Sequence, residues 1–122
     1  FLPFIYLRLA KLYQVEGNWF DSKKYFSLLR EKFPESIEVN IINPYEEEID
    51  FFTVQVGAFR EKENAQALRD QLSKDFPVYI LEDIKKGYPL YKVRVGKFKD
   101  KTQAQRVYYQ LIRKGYPAKI YP

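Results

Sequence analysis

The side chains available for chemistry in this chain of 122 residues include neither histidine nor cysteine. Those two residue types supply the commonest metal ligands and the usual nucleophile–base pairs of enzymes. A catalytic site would have to work with carboxylates, lysine or tyrosine alone. The composition therefore argues against catalysis, and we predict a protein that is not an enzyme and that has no cofactor and no metal site.

The polar residues best placed to bind a ligand lie in two strands in which apolar residues alternate. Phe52, Val54 and Val56 alternate in the first strand, and the second strand, which ends near Val95, has the same pattern. Such alternation is typical of a strand with one buried face, so the residues in between lie on the other face. These outward positions hold Thr53, Gln55, Leu90, Lys92 and Arg94.

An internal repeat relates these two strands to each other. When the chain is shifted by 39 residues, the run Val54-Gln55-Val56-Gly57 falls on Val93-Arg94-Val95-Gly96, and Phe59 falls on Phe98. In each half, apolar residues at helical spacing follow the strand. The repeat therefore predicts two similar halves, each with the same order of strands and helix.

Each half of the repeat is predicted to end in a short strand, near residues 78–81 in the first half and near residues 118–121 in the second. The two halves are joined through residues 86–89 and give the order β-α-β-β-α-β, which is typical of a split, ferredoxin-like α+β fold. In that fold four antiparallel strands carry both helices on one face. We predict it for residues 51–122, and the bare face of the sheet is the natural place for a ligand.

Residues 1–35 form a different kind of segment. Apolar residues recur at helical spacing on both sides of a break at Gly17-Asn18, which predicts a helical hairpin. The side chains that we expect this hairpin to bury are Leu9, Tyr13, Phe26 and Leu29.

The hairpin resembles a single tetratricopeptide (TPR) unit, although an ordinary helical hairpin is an alternative. A lone unit leaves an apolar face uncovered. We expect residues before Phe1, the second segment or another chain to cover that face, so residues 1–35 are predicted to bind a protein partner or to self-associate. Since the chain does not begin with methionine, we expect it to be a piece of a longer protein. The resemblance rests on Ala10, Tyr13, Gly17, Phe26 and Pro34.

Residues 36–50 show no sustained periodicity, and we predict a solvated linker. A brief alternation of Ile37, Val39 and Ile41 leaves an edge strand as an alternative for the first half.

The paired strand motifs resemble the SPOR (sporulation-related repeat) family. They comprise the run from Phe52 to Phe59, Asn64-Ala65 with Leu68, and the run from Tyr91 to Phe98. The resemblance implies a ferredoxin-like domain that binds peptidoglycan glycan strands, with a preference for strands without stem peptides. Such domains are not enzymes themselves, and they usually lie outside the cytoplasmic membrane in bacterial envelope proteins, often at division sites. The resemblance therefore implies that this chain lies in the bacterial cell envelope, in the periplasm.

The resemblance and the strand pattern together give the candidate glycan contacts. Gln55 occupies the position of a recurrent glycan contact in the family, and Arg94 is a candidate partner for a sugar carboxylate. Many members place an aromatic residue where this chain has Leu90, so Tyr88 is a possible substitute. The remaining candidates are Thr53, which lies beside Gln55, and Tyr79 and Tyr121, which could serve as stacking platforms if their strands have the assumed parity.

The charge distribution leaves two alternatives open. Residues 1–50 hold 6 Lys/Arg and 9 Asp/Glu, a net charge of −3, whereas residues 51–122 hold 15 and 7, a net charge of +8. The basic half would suit single-stranded nucleic acid. However, Lys92 and Arg94 occupy positions where stacking rings would be needed, so we expect nucleic acid not to be the ligand. The other alternative is a module that only binds proteins. No apolar run approaches the ~20 residues of a membrane span.

Overall fold

The computed structural model describes residues 2–85 and 87–122. The chain divides into two compact units, with the boundary between Phe51 and Phe52. Lys86, which belongs to the predicted connection at 86–89, lies outside the described residues.

The first unit begins with the predicted helical hairpin. Helix α1 (Leu2–Glu16) and helix α2 (Trp19–Lys32) pack against each other, and Asn18 caps α2 by accepting a hydrogen bond from the Asp21 backbone. The buried Ser22 Oγ donates to the carbonyl of Ala10 over 2.8 Å. Two small residues therefore let the helices approach closely. The core of this unit contains Leu7, Ala10, Phe26, Leu29 and Ile42.

Only two of the four side chains that were predicted to be buried in the hairpin are buried in the structure. Phe26 and Leu29 are buried, but Leu9 and Tyr13 are only half-buried. The reason is the rotation of α1, because its Ala10 rather than Leu9 faces α2. Tyr13 instead stacks on Tyr25, with ring centroids 5.6 Å apart.

Residues 36–50 contain two short helices, where the sequence predicts a solvated linker or an edge strand. They are α3 (Ile37–Ile41) and α4 (Pro44–Glu47). Between them, Ile42 is only 8% exposed and belongs to the hairpin core. The Arg30 guanidinium donates two hydrogen bonds to Glu47, both 2.6 Å long, and these bonds raise the pKa of Arg30. This stretch therefore packs as part of the first unit.

The second unit contains four strands and two helices in the predicted order. Its antiparallel sheet has the strand order β2-β3-β1-β4. Ala65 and Ala104, one from each helix, are buried together with Val54 and Val93 of the sheet, so both helices lie on one face. The predicted α+β fold is confirmed. The elements are β1 (Phe52–Phe59), α5 (Lys62–Leu72), β2 (Val78–Lys85), β3 (Tyr88–Phe98), α6 (Lys101–Arg113) and β4 (Lys119–Tyr121).

Two register shifts interrupt the pairing of β1 with β3. One lies between Phe52 and Val54, opposite Gly96, and the other between Gln55 and Gly57. Gly96 has φ = 71°, a backbone conformation that residues with a Cβ rarely adopt. A Cβ added there would collide with the ring of Phe98. The ring of Phe98 thus folds back over the glycine that lets the strand bend.

Candidate functional site

The helix-free face of the sheet carries a row of four side chains from all four strands. The strand register places Tyr79 opposite Arg94, Arg94 opposite Gln55, and Gln55 opposite Lys119. Directly opposed residues lie on the same face of a sheet. We call these four residues the Gln55 row. The face also carries Tyr121, which pairs with Thr53.

Gln55 is held by its neighbour in this row. The Arg94 Nε donates to Gln55 Oε1 over 3.1 Å. The bond identifies which end of the amide faces Arg94, and it leaves the two N–H groups of Gln55 without an acceptor among the described residues. Gln55 therefore presents mainly a hydrogen-bond donor to a ligand, although an amide side chain can in general both donate and accept.

Two cations, one from β3 and one from β4, lie close to the ring of Tyr121. The guanidinium carbon of Arg94 is 5.0 Å from the ring centroid of Tyr121, and the Lys119 ammonium is 5.1 Å from it. Cations at these distances are attracted to the face of a ring. Tyr121 is half-buried. It pairs with Thr53, so its side chain lies on the bare face, as the sequence analysis assumed.

Thr53 lies on the bare side of the sheet but has only 2% of its surface exposed. Its hydroxyl accepts a hydrogen bond from the Tyr79 hydroxyl over 2.9 Å and donates to the Val95 carbonyl over 3.2 Å. The expectation of an exposed ligand contact at Thr53 is therefore corrected. Thr53 anchors Tyr79, whose ring also lies 5.1 Å from the ammonium of Lys97.

Leu90 and Tyr88 lie further along β3. Leu90 is half-buried and opposite Asp83, whose carboxylate pairs with Lys92 over 2.9 Å. Tyr88 is 64% exposed, and the guanidinium carbon of Arg60 is 5.6 Å from its ring centroid. At ~3.3 Å per residue, Leu90 is roughly 13 Å from Arg94 along the strand. Tyr79, Arg94, Gln55 and Tyr121 therefore cluster, whereas Leu90 and Tyr88 form a separate edge of the face.

Three cations on this face were not among the residues singled out from the sequence. They are Lys97, Lys119 and Arg60. Strand parity counted through β3 would place Gly96 and Phe98 outward, but the bulge at Gly96 brings Lys97 beside Tyr79 instead. Lys119 could have been found, because it lies two residues before Tyr121 on the same strand.

The opposite face of β3 carries Tyr91, and this residue takes no part in the row. Burial and the neighbouring Glu82 carboxylate raise the pKa of Tyr91. Among the described residues, no cluster of acidic side chains is arranged to hold a metal ion. Of the helices in the part of the chain that the structure covers, none has the length and apolar character to cross a membrane.

The fold and the bare face define a small α+β domain of ferredoxin-like topology with an open sheet surface. Residues 50–121 match the SPOR domain family, and the chain belongs to that family. The resemblance predicted from the strand motifs is confirmed. Among curated proteins, none shows significant similarity to the chain.

Two solved structures are similar to the second unit. The SPOR domain of RlpA from Pseudomonas aeruginosa is 23% identical, with a TM-score of 0.51, over 58% of this chain and 97% of that one. At that identity the likeness shows the fold alone. The peptidoglycan binding domain of the B. subtilis cell wall lytic enzyme CwlC is 33% identical, with a TM-score of 0.50, over 58% of this chain and 86% of that one.

Proposed function

We propose that the second unit binds peptidoglycan glycan strands on its helix-free face and catalyses no reaction. Membership of the SPOR family supports this proposal, as does the likeness to the peptidoglycan binding domain of CwlC. The observation that carries it is the Gln55 row, in which an oriented amide lies between a guanidinium and an ammonium.

The side chains around Gln55 suit the polar groups of amino sugars. An acetamido carbonyl needs a hydrogen-bond donor, and the free N–H groups of Gln55 supply one. The apolar faces of sugar rings pack well on aromatic rings, for which Tyr79 and Tyr121 are placed on either side of the amide. The three residues together would bind one sugar through its acetamido group and neighbouring sugars through their ring faces.

The charges of the face favour strands without stem peptides. Removal of a stem peptide from the lactyl group of N-acetylmuramic acid leaves a free carboxylate, so each stripped disaccharide carries a negative charge directly on the lactyl group of the sugar. Arg94 and Lys119 flank Gln55, and Lys97 lies beside Tyr79. A carboxylate would meet charge-assisted donors there, which form stronger hydrogen bonds than neutral ones. In an intact strand the same lactyl group forms an amide with the stem peptide, so it has no charge at that position and carries additional bulk.

We propose that the protein acts in the bacterial cell envelope, outside the cytoplasmic membrane, because peptidoglycan lies there. We propose that the chain is part of a larger envelope protein and that stripped glycans concentrate it where stem peptides are removed, which includes division sites. In a Gram-negative cell that compartment is the periplasm.

Pull-down with purified sacculi tests the proposal. We expect the 122-residue chain to bind sacculi, and to bind more of them after an amidase has removed the stem peptides. Single-stranded RNA, added as a competitor, should displace none of the bound chain at 0.15 M salt. Equal binding before and after amidase treatment would contradict the preference for stripped strands. Absence of binding to both samples, or displacement by RNA, would overturn the proposed function.

A further inference from the structure

Helix α1 presents an uncovered apolar surface on the side that faces away from the hairpin core. Ile5, Leu9, Leu12 and Val15 follow one another at intervals of three or four residues, and together they line an open groove. We call these four residues the α1 stripe. Leu12 is 54% exposed and Val15 is 43% exposed, whereas Ala10 on the opposite side of the helix is fully buried. Helix α1 is thus apolar on two sides, and the hairpin covers only one of them.

Two cations lie along one edge of the α1 stripe. Arg8 and Lys11 line the same groove, and within the described residues neither has a carboxylate partner. The guanidinium carbon of Arg8 lies 5.6 Å from the ring centroid of Phe4. The only acidic residue of α1 is Glu16, at its end. The groove therefore combines apolar surface with positive charge that this helix does not neutralise, in a segment whose net charge over residues 1–50 is −3.

This charge pattern disfavours a second copy of the chain as the occupant. When two identical helices pack antiparallel, the same edges meet, as in a coiled coil. Arg8 and Lys11 of one copy would then face the same residues of the other, and like charges at such positions are unfavourable. In a parallel pairing the opposite edge would meet them, and that edge carries no carboxylate at the level of Arg8.

We propose that the α1 stripe is the docking surface for an amphipathic helix of a separate protein. Apolar residues at intervals of three or four would fill the groove, as in other helix-in-groove complexes. Asp or Glu side chains along one edge of that helix would meet Arg8 and Lys11. Charge complementarity of this kind determines which partner binds more than it adds raw affinity. The proposal concerns the first unit and stands independently of glycan binding.

A pair of synthetic peptides tests the proposal with the whole 122-residue chain. Both are 18-residue amphipathic helices with leucine at intervals of three and four. One carries Glu along a single edge, and the other carries Lys at the same positions. We expect the acidic peptide to bind about 10-fold more tightly than the basic one, because two exposed ion pairs change from attractive to repulsive. In the variant Arg8→Glu/Lys11→Glu the preference should invert.

A further variant locates the binding surface. Leu12→Glu places a charge in the middle of the α1 stripe at an exposed position, so the helix content should not change, and circular dichroism checks this. We expect this variant to lose binding of the acidic peptide. Unchanged binding would overturn the assignment of the surface, and equal binding of both peptides would overturn its charge selectivity. A dimer in sedimentation that Leu12→Glu dissociates would identify a second copy as the occupant and would also overturn the proposal.

Discussion

Arg94 and Gln55 lie directly opposite each other on β3 and β1, and the Arg94 Nε donates a hydrogen bond to Gln55 Oε1. The two residues also occupy equivalent positions in the 39-residue repeat. A duplicated position therefore carries an amide in one half and a guanidinium in the other. Because each side chain restricts the other, the donors of the pair are oriented before a ligand arrives, which lowers the entropic cost of binding.

Gln55→Ala should weaken glycan binding without weakening the fold. The side chain lies on the ligand face, so we expect the free energy of unfolding to change by about 0.5 kcal/mol or less. Loss of one or two hydrogen bonds to the ligand, each contributing about 0.5–1.5 kcal/mol, should lower affinity for stripped glycans about 3- to 30-fold. Melting temperature and sacculus binding measure the two effects. Gln105→Ala on the exposed face of α6 is the control and should change neither quantity. A strong loss of stability in Gln55→Ala would show a structural role.

Substitution of Arg94 should separate its charge from its hydrogen bond. Arg94→Gln removes the charge, so binding of stripped glycans should fall about 10-fold and become less dependent on salt. Arg94→Lys keeps the charge but not the planar guanidinium that bonds Gln55 and lies over Tyr121. Its binding should be weaker than that of the natural chain and keep the natural salt dependence. Titration between 0.05 and 0.5 M salt distinguishes the variants, and identical salt profiles for all three proteins would contradict a carboxylate contact.

Thr53→Val should destabilise the domain and affect the ligand only indirectly. The change keeps the shape of the side chain and removes the hydroxyl that bonds both Tyr79 and the Val95 carbonyl. Loss of these buried partners should lower the free energy of unfolding by about 1–3 kcal/mol. Urea denaturation measures this loss. Glycan affinity should fall by less than Gln55→Ala lowers it. A loss of affinity without a loss of stability would show that Thr53 contacts the ligand after all.

Gly96→Ala should destabilise the second unit more than Gly115→Ala does. Both glycines have positive φ, 71° and 90°, so alanine is strained at each by about 1–2 kcal/mol. Only at Gly96 would the new Cβ collide with the ring of Phe98, whereas Gly115 has nothing within 4 Å. The collision should add about 1–3 kcal/mol, as in an overpacked core. Equal urea midpoints for the two variants would show that the ring moves aside at little cost.

The alternation of apolar residues and the 39-residue repeat made the fold of the second unit predictable. The pattern around Val54 and its copy around Val93 define two half-buried strands, and the connections between them then limit the topology to one split arrangement. Gln55 could be assigned to the bare face because the parity of β1 holds up to that residue. The length of β2 did not follow from this pattern, because the strand runs to Lys85 rather than ending near residue 81.

Details that depend on distant residues could not be predicted. Thr53 is buried because the ring of Tyr79, 26 positions away, leans across β3 to reach its hydroxyl. The position of Lys97 depends on a bulge, which shifts the parity that sequence counting assumes. The helices α3 and α4 are too short for periodicity to show, since they have 5 and 4 residues. The likeness of the hairpin to a TPR unit stays a prediction.

The paired register of β1 and β3, with its two bulges, limits where this domain can gain or lose residues as its gene diverges. Insertion or deletion of one codon between Phe52 and Gln55 would turn the amide from the open face toward the helices, because side chains alternate with every residue. The same change in the connection after α5, at residues 73–76, moves no strand position from one face to the other. Divergent relatives should accordingly vary in length at that connection, while the number of residues from Phe52 to Gly57 stays constant.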